Sequence, residues 1–201
     1  TDTALALRAA MVLHRKLLAD SNPDHGLHIL RLLRPHHDAL DTADRARLCM
    51  AEAIHLHRGG RPGAAEAVLA SLDTWPLPPA LAFQRLSYLS RIRLDHGQAA
   101  AALSARQEAR ALARAAGLPE SQQREGLDEA NILHYLGRFD EAYALVCSGV
   151  HGQDLNGQTA FLKLKVELEY ERGDLAQSWQ SLAQLEDCLL YTSDAADEVL
   201  G

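Results

Sequence analysis

β-branched residues are scarce in this sequence: Val, Ile and Thr together number 16 among 201 residues, against 34 Ala and 36 Leu. Residues branched at Cβ favour pleated sheet, whereas Ala and Leu lose little side-chain freedom in a helix. Their scarcity argues against a sheet-based core and for an all-α chain long enough to bury one. Lysine is also rare, with three residues to seventeen arginines, and the net charge is −7. Acidic residues are interleaved with the arginines throughout, so no net basic face of the kind nucleic-acid binding needs is expected. No run approaches the 18 apolar residues of a membrane helix, and the N-terminus lacks the charged and apolar regions of a signal peptide. Three cysteines, Cys49, Cys147 and Cys188, have no metal-type spacing. An odd count suits reduced thiols and a cytoplasmic protein. The sequence starts at Thr1, not Met, so residues before it are expected to be missing.

What is present is a repeat. Turn signals recur at Asn22-Pro23, Gly59-Gly60, Gly97, Gly137 and Gly173. Counted from Asn22 and Gly60, the gaps are 38, 37, 40 and 36 residues. Each signal lies between two stretches of helical apolar periodicity. The pattern predicts paired helices over 3–20 and 24–33, 41–58 and 62–73, 78–95 and 98–116, 120–136 and 139–148, and 156–172 and 175–187. Loops are expected at Arg34-Pro35-His36-His37, at Trp75-Pro76-Leu77-Pro78-Pro79, at Gly117-Leu118-Pro119 and at Gly149-Val150-His151-Gly152. Asp41 and Thr42 offer N-cap oxygens to the helix that follows.

Two segments carry the clearest form of the repeat: Leu133-His134-Tyr135-Leu136-Gly137-Arg138-Phe139-Asp140-Glu141-Ala142 and Glu171-Arg172-Gly173-Asp174-Leu175-Ala176-Gln177-Ser178. Both resemble the centre of a tetratricopeptide (TPR) repeat, where a glycine closes helix A and a small residue follows five positions later in helix B. Glycine takes the left-handed conformation that ends a helix, and the acid after it suits the positive end of the next one. A small residue (Ala142, Ala102, and Ala64 or Ala65) lets the two helices approach closely. The sequence departs from the family pattern at Ser178, at Gly126 where a large residue is usual, and at Asn22-Pro23 where glycine is usual. The resemblance implies a right-handed α-α superhelix, a TPR-like solenoid of about five helix–turn–helix units. The long stretch ending Arg110-Ala111-Leu112-Ala113-Arg114-Ala115-Ala116-Gly117 is similar to repeats of bacterial regulators related to the maltose activator, and to repeats that precede diguanylate cyclase domains.

From Cys188 the chain reads Cys-Leu-Leu-Tyr-Thr-Ser-Asp-Ala-Ala-Asp-Glu. This is similar to the one-frame translation of a transposase adapter used in DNA-sequencing libraries, and such a scar stands outside fold reasoning. The expected division is a TPR-like domain over 1–187 and a non-native tail over 188–201, with the gene cut near Asp187. Without Asp194, Asp197 and Glu198 the charge becomes −7 + 3 = −4.

Chemistry-bearing residues do not assemble into a catalytic set, so no enzymatic activity and no cofactor is expected. His25 and His28 stand three apart and His36-His37 follow, but no cysteine or carboxylate is spaced to complete a metal site. His55 and His57 are two apart and cannot share a helix face. Cys147 has His151 four residues on, with Gly149 between them and no oxyanion motif. Gly59-Gly60-Arg61-Pro62-Gly63 lacks the Lys-Ser/Thr end of a phosphate loop.

In TPR-like repeats helix A lines the concave face. Carried onto this chain, the resemblance places Gln84, Tyr88 and Arg91 there in the third unit. The fourth unit supplies Arg124, Asp128, Asn131, His134 and Tyr135, and the fifth Lys163, Glu167 and Tyr170. Arg and Tyr are enriched at binding hot spots, and Asn can hydrogen-bond an extended backbone. The partner implied is a protein or peptide, with neither nucleic acid nor membrane contacted. Two settings follow: the sensor or interaction region of a larger bacterial regulatory protein, or the regulatory N-terminal part of a diguanylate-cyclase-type enzyme. Trp179 and Phe139 are expected to pack between helices and Trp75 to plug the loop before the third unit. Leu86, Leu89, Leu133, Leu136, Leu164 and Leu168 are expected to form the core.

Overall fold

The computed structural model describes the backbone of residues 2–19, 22–149 and 155–200, and their side chains except at 2–4, 7, 8, 15, 18, 19, 34, 37, 119–125, 149, 155, 156 and 191–200. Among the described residues there are ten α-helices and no strand. They are α1 (Asp2–Ala19), α2 (Pro23–Leu32), α3 (Thr42–Arg58), α4 (Pro62–Ala70), α5 (Pro79–Asp95), α6 (Ala99–Ala115), α7 (Pro119–Tyr135), α8 (Phe139–Gly149), α9 (Leu155–Glu171) and α10 (Leu175–Leu200). The five predicted pairs are the five observed hairpins. The chain divides into two compact units, 1–116 with α1–α6 and 117–201 with α7–α10.

Four of the hairpin turns share one mechanism. Gly60, Gly97, Gly137 and Gly173 have φ of 73°, 76°, 71° and 80°, the left-handed region that favours glycine. In each, the glycine N–H and the next N–H fold back onto carbonyls of the closing helix. For Gly137 these are Gly137 N to His134 O and Arg138 N to Leu133 O, both 2.9 Å. This pair of bonds is a Schellman closure and satisfies carbonyls that would otherwise be orphaned. The second turn therefore pivots on Gly60 and not Gly59, and Ala65, fully buried while Ala64 is exposed, is its small residue. Asp41 caps α3 as expected, accepting from Asp44 N at 2.7 Å, and Asn22 caps α2 by accepting from His25 N at 3.2 Å.

Three local features differ from the sequence reading. The Arg34–His37 stretch belongs to a 3-10 helix, Arg34–Ala39, entered through a bond from His36 N to Leu33 O at 2.9 Å. Helix α4 stops at Ala70, because the Ser71 hydroxyl donates to Val68 O (2.7 Å) and the Leu72 and Asp73 amides take three-residue bonds. Helix α10 continues from Leu175 to Leu200, through the adapter-like residues.

In unit 1, α3 packs on α1, α2, α4 and α5, and α5 packs along α6. Leu27, Met50, Leu56, Leu69, Leu72, Leu81, Leu89 and Ile92 form one buried cluster, with Trp75 and Tyr88 half-buried against it. Trp75 is held by the Arg45 guanidinium, 5.3 Å above its ring, so it does plug the loop before α5. A second cluster joins Ala10 to Leu30, Leu33, Leu40, Leu48 and Ala51. In unit 2, α7 packs on α8 and α9, and α9 on α8 and α10. Its core is Ala130, Ile132, Leu133, Ala142, Val146, Phe161, Leu162, Leu164, Leu168 and Leu185. Leu86, Leu89, Leu133, Leu164 and Leu168 are buried as expected and Leu136 is half-buried.

Candidate functional site

The residues assigned to the helix-A face fall on α5 in unit 1 and on α7 and α9 in unit 2. On α5, Gln84 is exposed, Tyr88 is half-buried and packs on the unit-1 core, and Arg91 is exposed. The Arg91 Nε lies 3.2 Å from Asp95 Oδ2, and that same oxygen stands 3.3 Å from His57 Nε2 on α3. Arg91 is therefore steadied by its own helix and still presents its guanidinium to solvent, whereas Tyr88 contributes as much to packing as to any surface.

On α7, the side chain of Arg124 lies outside the described residues. Asp128 is exposed and Asn131 half-buried, its amide donating to Leu127 O at 3.0 Å. This back-bond engages the Asn131 amide within its own turn. His134 is half-buried, with its ring 5.7 Å from Phe139 and 6.4 Å from Tyr135. Phe139 thus packs between helices as expected. On α9, Lys163 and Glu167 are exposed. Tyr135 and Tyr170 occupy the last turns of α7 and α9, two helices that pack on each other, and they are 74% and 66% exposed. Both rings are open to water over most of their surface, with Tyr135 against His134 on one side.

Trp179 does not pack between helices. It is 72% exposed on α10, near exposed Leu175. Periodicity gives no warning of this, because Ser181 and Leu185 supply the buried stripe of α10 and Trp179 lies off it.

Polar groups inside the hairpins escaped the sequence reading. Glu169 on α9 is 1% exposed. Its Oε1 accepts from the Tyr143 hydroxyl at 3.1 Å and lies 3.5 Å from Lys165 Nζ. Tyr143 is also 3.3 Å from Gln177 Oε1 on α10 and carries the Arg172 guanidinium 4.4 Å above its ring. Burial, then the neighbouring Cys147 thiol and Glu169 carboxylate, push the Tyr143 hydroxyl above the ordinary phenol range. Glu129 on α7 and Arg106 on α6 are buried too, and Arg106 Nη1 donates to Ser87 Oγ at 3.1 Å. In unit 1, His14 and His55 are buried, with His14 Nδ1 and His55 Nε2 at 2.9 Å. The available signal was Gly26. It stands three residues into α2, where Ala65, Ala102, Ala142 and Ser178 stand three residues into their own helices.

Cys49, Cys147 and Cys188 are half-buried and stand outside any disulfide. His151, considered with Cys147, lies outside the described residues. Among the described residues no three His, Cys, Asp or Glu side chains converge as a metal-holding group, and no helix is long and apolar enough to cross a membrane.

No protein-family model and no curated protein matches the sequence. Solved structures do. A point variant of a Podosopora anserina protein, described as a kinesin light chain with nearly identical TPR-like repeats, superposes with a TM-score of 0.77 at 16% identity, covering 94% of this chain and 96% of its own. The form without that substitution gives 0.73 at 15%, covering 92% and 96%. A Pseudomonas aeruginosa pilF structure aligns over 98% of this chain and 100% of its own at 17% identity, with a TM-score of 0.38. At such identities the first two establish architecture alone. The chain has the TPR-like helical-repeat fold.

Proposed function

We propose that this helical-repeat scaffold binds an extended protein or peptide segment on its helix-A faces. The principal contacts on α7 and α9 would be Tyr135 and Tyr170, flanked by Arg124, Asp128, Asn131, His134, Lys163 and Glu167. Gln84, Tyr88 and Arg91 would serve in the same way on α5. The observation that carries the reading is the pair of exposed tyrosines on packed neighbouring helices. Each offers a rigid ring and a hydroxyl at low entropic cost, and preformed helices present them without an ordering step.

The test uses a random-peptide phage library selected on the full chain, with affinities of the selected peptides then measured for Tyr135→Ala, Tyr170→Ala and Asn131→Ala. Loss of about tenfold or more in the tyrosine variants is expected, a typical hot-spot effect. Unchanged affinity in all three removes the assignment.

The same reading sets the scaffold in a larger bacterial regulatory protein, on the likeness of α6 and its Arg110–Gly117 ending to repeats of maltose-activator-type regulators. Sequencing the native gene past the codon for Asp187 tests this. A helix-turn-helix segment there supports it, and a Gly-Gly-Asp/Glu-Glu-Phe motif replaces it with the cyclase setting. The same sequencing tests whether 188–201 is a non-native tail, since the native codons would then differ from Cys188 onward.

A further inference from the structure

Few of the apolar side chains described on α1 are buried. Among its described side chains only Ala10 and His14 are buried and Met11 and Leu17 half-buried, while Leu5, Val12 and Leu13 are exposed. Ala10 and Met11 rest on the face made by Leu30, Leu33, Leu40, Leu48 and Ala51. One specific contact among the described residues is polar. His14 of α1 meets His55 of α3 at 2.9 Å between Nδ1 and Nε2, with the rings edge to face at 78° and 4.9 Å between centroids.

The site for this contact is built into the backbone. His55 is fully buried and its ring occupies the space where a Cβ on Gly26 would stand. The ring is thereby fixed from the α2 side, with Nε2 turned to His14. Its other nitrogen, Nδ1, is buried without a hydrogen-bond partner. Of the two neutral arrangements, the better one has His55 Nε2–H donating to an unprotonated His14 Nδ1. It leaves His55 Nδ1 as an unpaired acceptor instead of an unpaired N–H. A proton added at Nδ1 creates the buried, unpaired donor that this arrangement avoids, together with a buried charge.

We propose that His14 and His55 form an acid-sensitive latch, which holds α1 against α2 and α3 while the pair is neutral and releases it on protonation. Release would uncover the apolar face of Leu30, Leu33, Leu40, Leu48 and Ala51.

The surroundings oppose a charge on His55. Burial, and then the positive charge of Arg58 one turn further along α3, hold its pKa below the usual 6.5. From α3, Glu52 lies one turn earlier and is half-buried, and the pKa is lowered in its presence. From α1, among the described residues, His14 meets it. From α2 it is Gly26 that meets the ring, and Asp24, His25, His28 and Arg31 are exposed. A histidine whose folded pKa is lowered takes up its proton more readily in the open state. Closure is therefore fully favoured above pH 6.5 and weakens as pH falls below it, by up to about tenfold per pH unit for one proton.

The experiment is hydrogen exchange on the full chain from about pH 7.5 to about pH 5, the span over which an ordinary imidazole charges, with rates corrected for the intrinsic pH dependence of exchange. In the native chain, α1 protection is expected to fall steeply below pH 6.5 while that of α5 holds. In His55→Gln the α1 profile is expected to be flat. A flat native profile overturns the latch, and so does an equal fall in the native chain and the variant. If His55→Gln fails to fold, the native chain decides through the NMR titration of its imidazole protons. His55 titrating together with α1 opening supports the latch, and His55 titrating while α1 stays protected overturns it.

Discussion

The two units solve the same packing problem with different buried polar groups: unit 1 buries Arg106, which donates to Ser87 Oγ, as well as an imidazole pair, and unit 2 buries carboxylates. Unit 1 keeps its charged pairs at helix edges: Arg61 with Asp24 at 2.6 Å, Arg93 with Glu66 at 2.8 Å, and Arg85 with Asp73. The titratable pair it buries, His14 with His55, is one that can be neutral at neutral pH. Unit 2 buries a carboxylate, Glu169, and ties it to Tyr143 and Lys165 on its own and a neighbouring helix. One oxygen of that carboxylate, Oε1, makes both contacts, while Oε2 is buried without a hydrogen-bond partner. Repeats of one architecture can therefore exchange apolar contact for polar contact hairpin by hairpin.

The helix glycines make the contrast sharper. Gly26 on α2 is filled against, and a Cβ there would overlap the imidazole of His55, whose ring is fully buried. Gly126 on α7 is open, because a Cβ would meet Phe161 of α9 at 3.9 Å, an ordinary contact. One glycine is required by packing and the other is spare.

The largest expected effect that tests this is Gly26→Ala. It should destabilise the chain by about 2–3 kcal/mol, the cost of overpacking a site that cannot relax, read as a lower denaturant midpoint. A loss below about 0.5 kcal/mol, the range of ordinary surface changes, would mean that His55 moves aside freely. Next is Tyr143→Phe, which removes the hydroxyl that Glu169 accepts from. A loss of about 1–2 kcal/mol is expected from leaving a buried carboxylate oxygen less satisfied, measured by chemical unfolding, and no loss would show that Lys165 alone serves Glu169. Smaller and of opposite sign is Gly126→Ala, expected to stabilise by about 0.5–1 kcal/mol through helix propensity. A lower melting temperature would break the contrast between the two glycines. Smallest is a stop after Asp187. Leu185 is the last buried residue among those described, so removing 188–201 should change stability by about 0.5 kcal/mol or less. A clear loss on thermal unfolding would count against treating 188–201 as a tail outside the domain.

Most of the fold was legible because its determinants are local. Glycines at regular spacing close α3, α5, α7 and α9 by their own left-handed backbone, Pro62 and Pro79 open helices without needing an N–H, and Asp41 supplies its cap within three residues. The candidate binding face came from the resemblance to TPR-like repeats, and helical spacing tells only which of its side chains share a face. Even there, the distinction between Tyr88, half-buried on the core, and Tyr135 and Tyr170, open to water, depends on neighbours that the sequence does not display.

Contacts between distant residues were not legible. His14 and His55 are separated by 41 positions, and Tyr143 and Glu169 by 26. Neither pair leaves a spacing motif, because each depends on how two helices rotate and approach. The sequence by itself determined the helices, their turns and the hairpin count, through propensity, capping and period. Only the tertiary structure decided which polar side chains went inside and which aromatic ones stayed outside, because burial depends on the partner helix as much as on the residue.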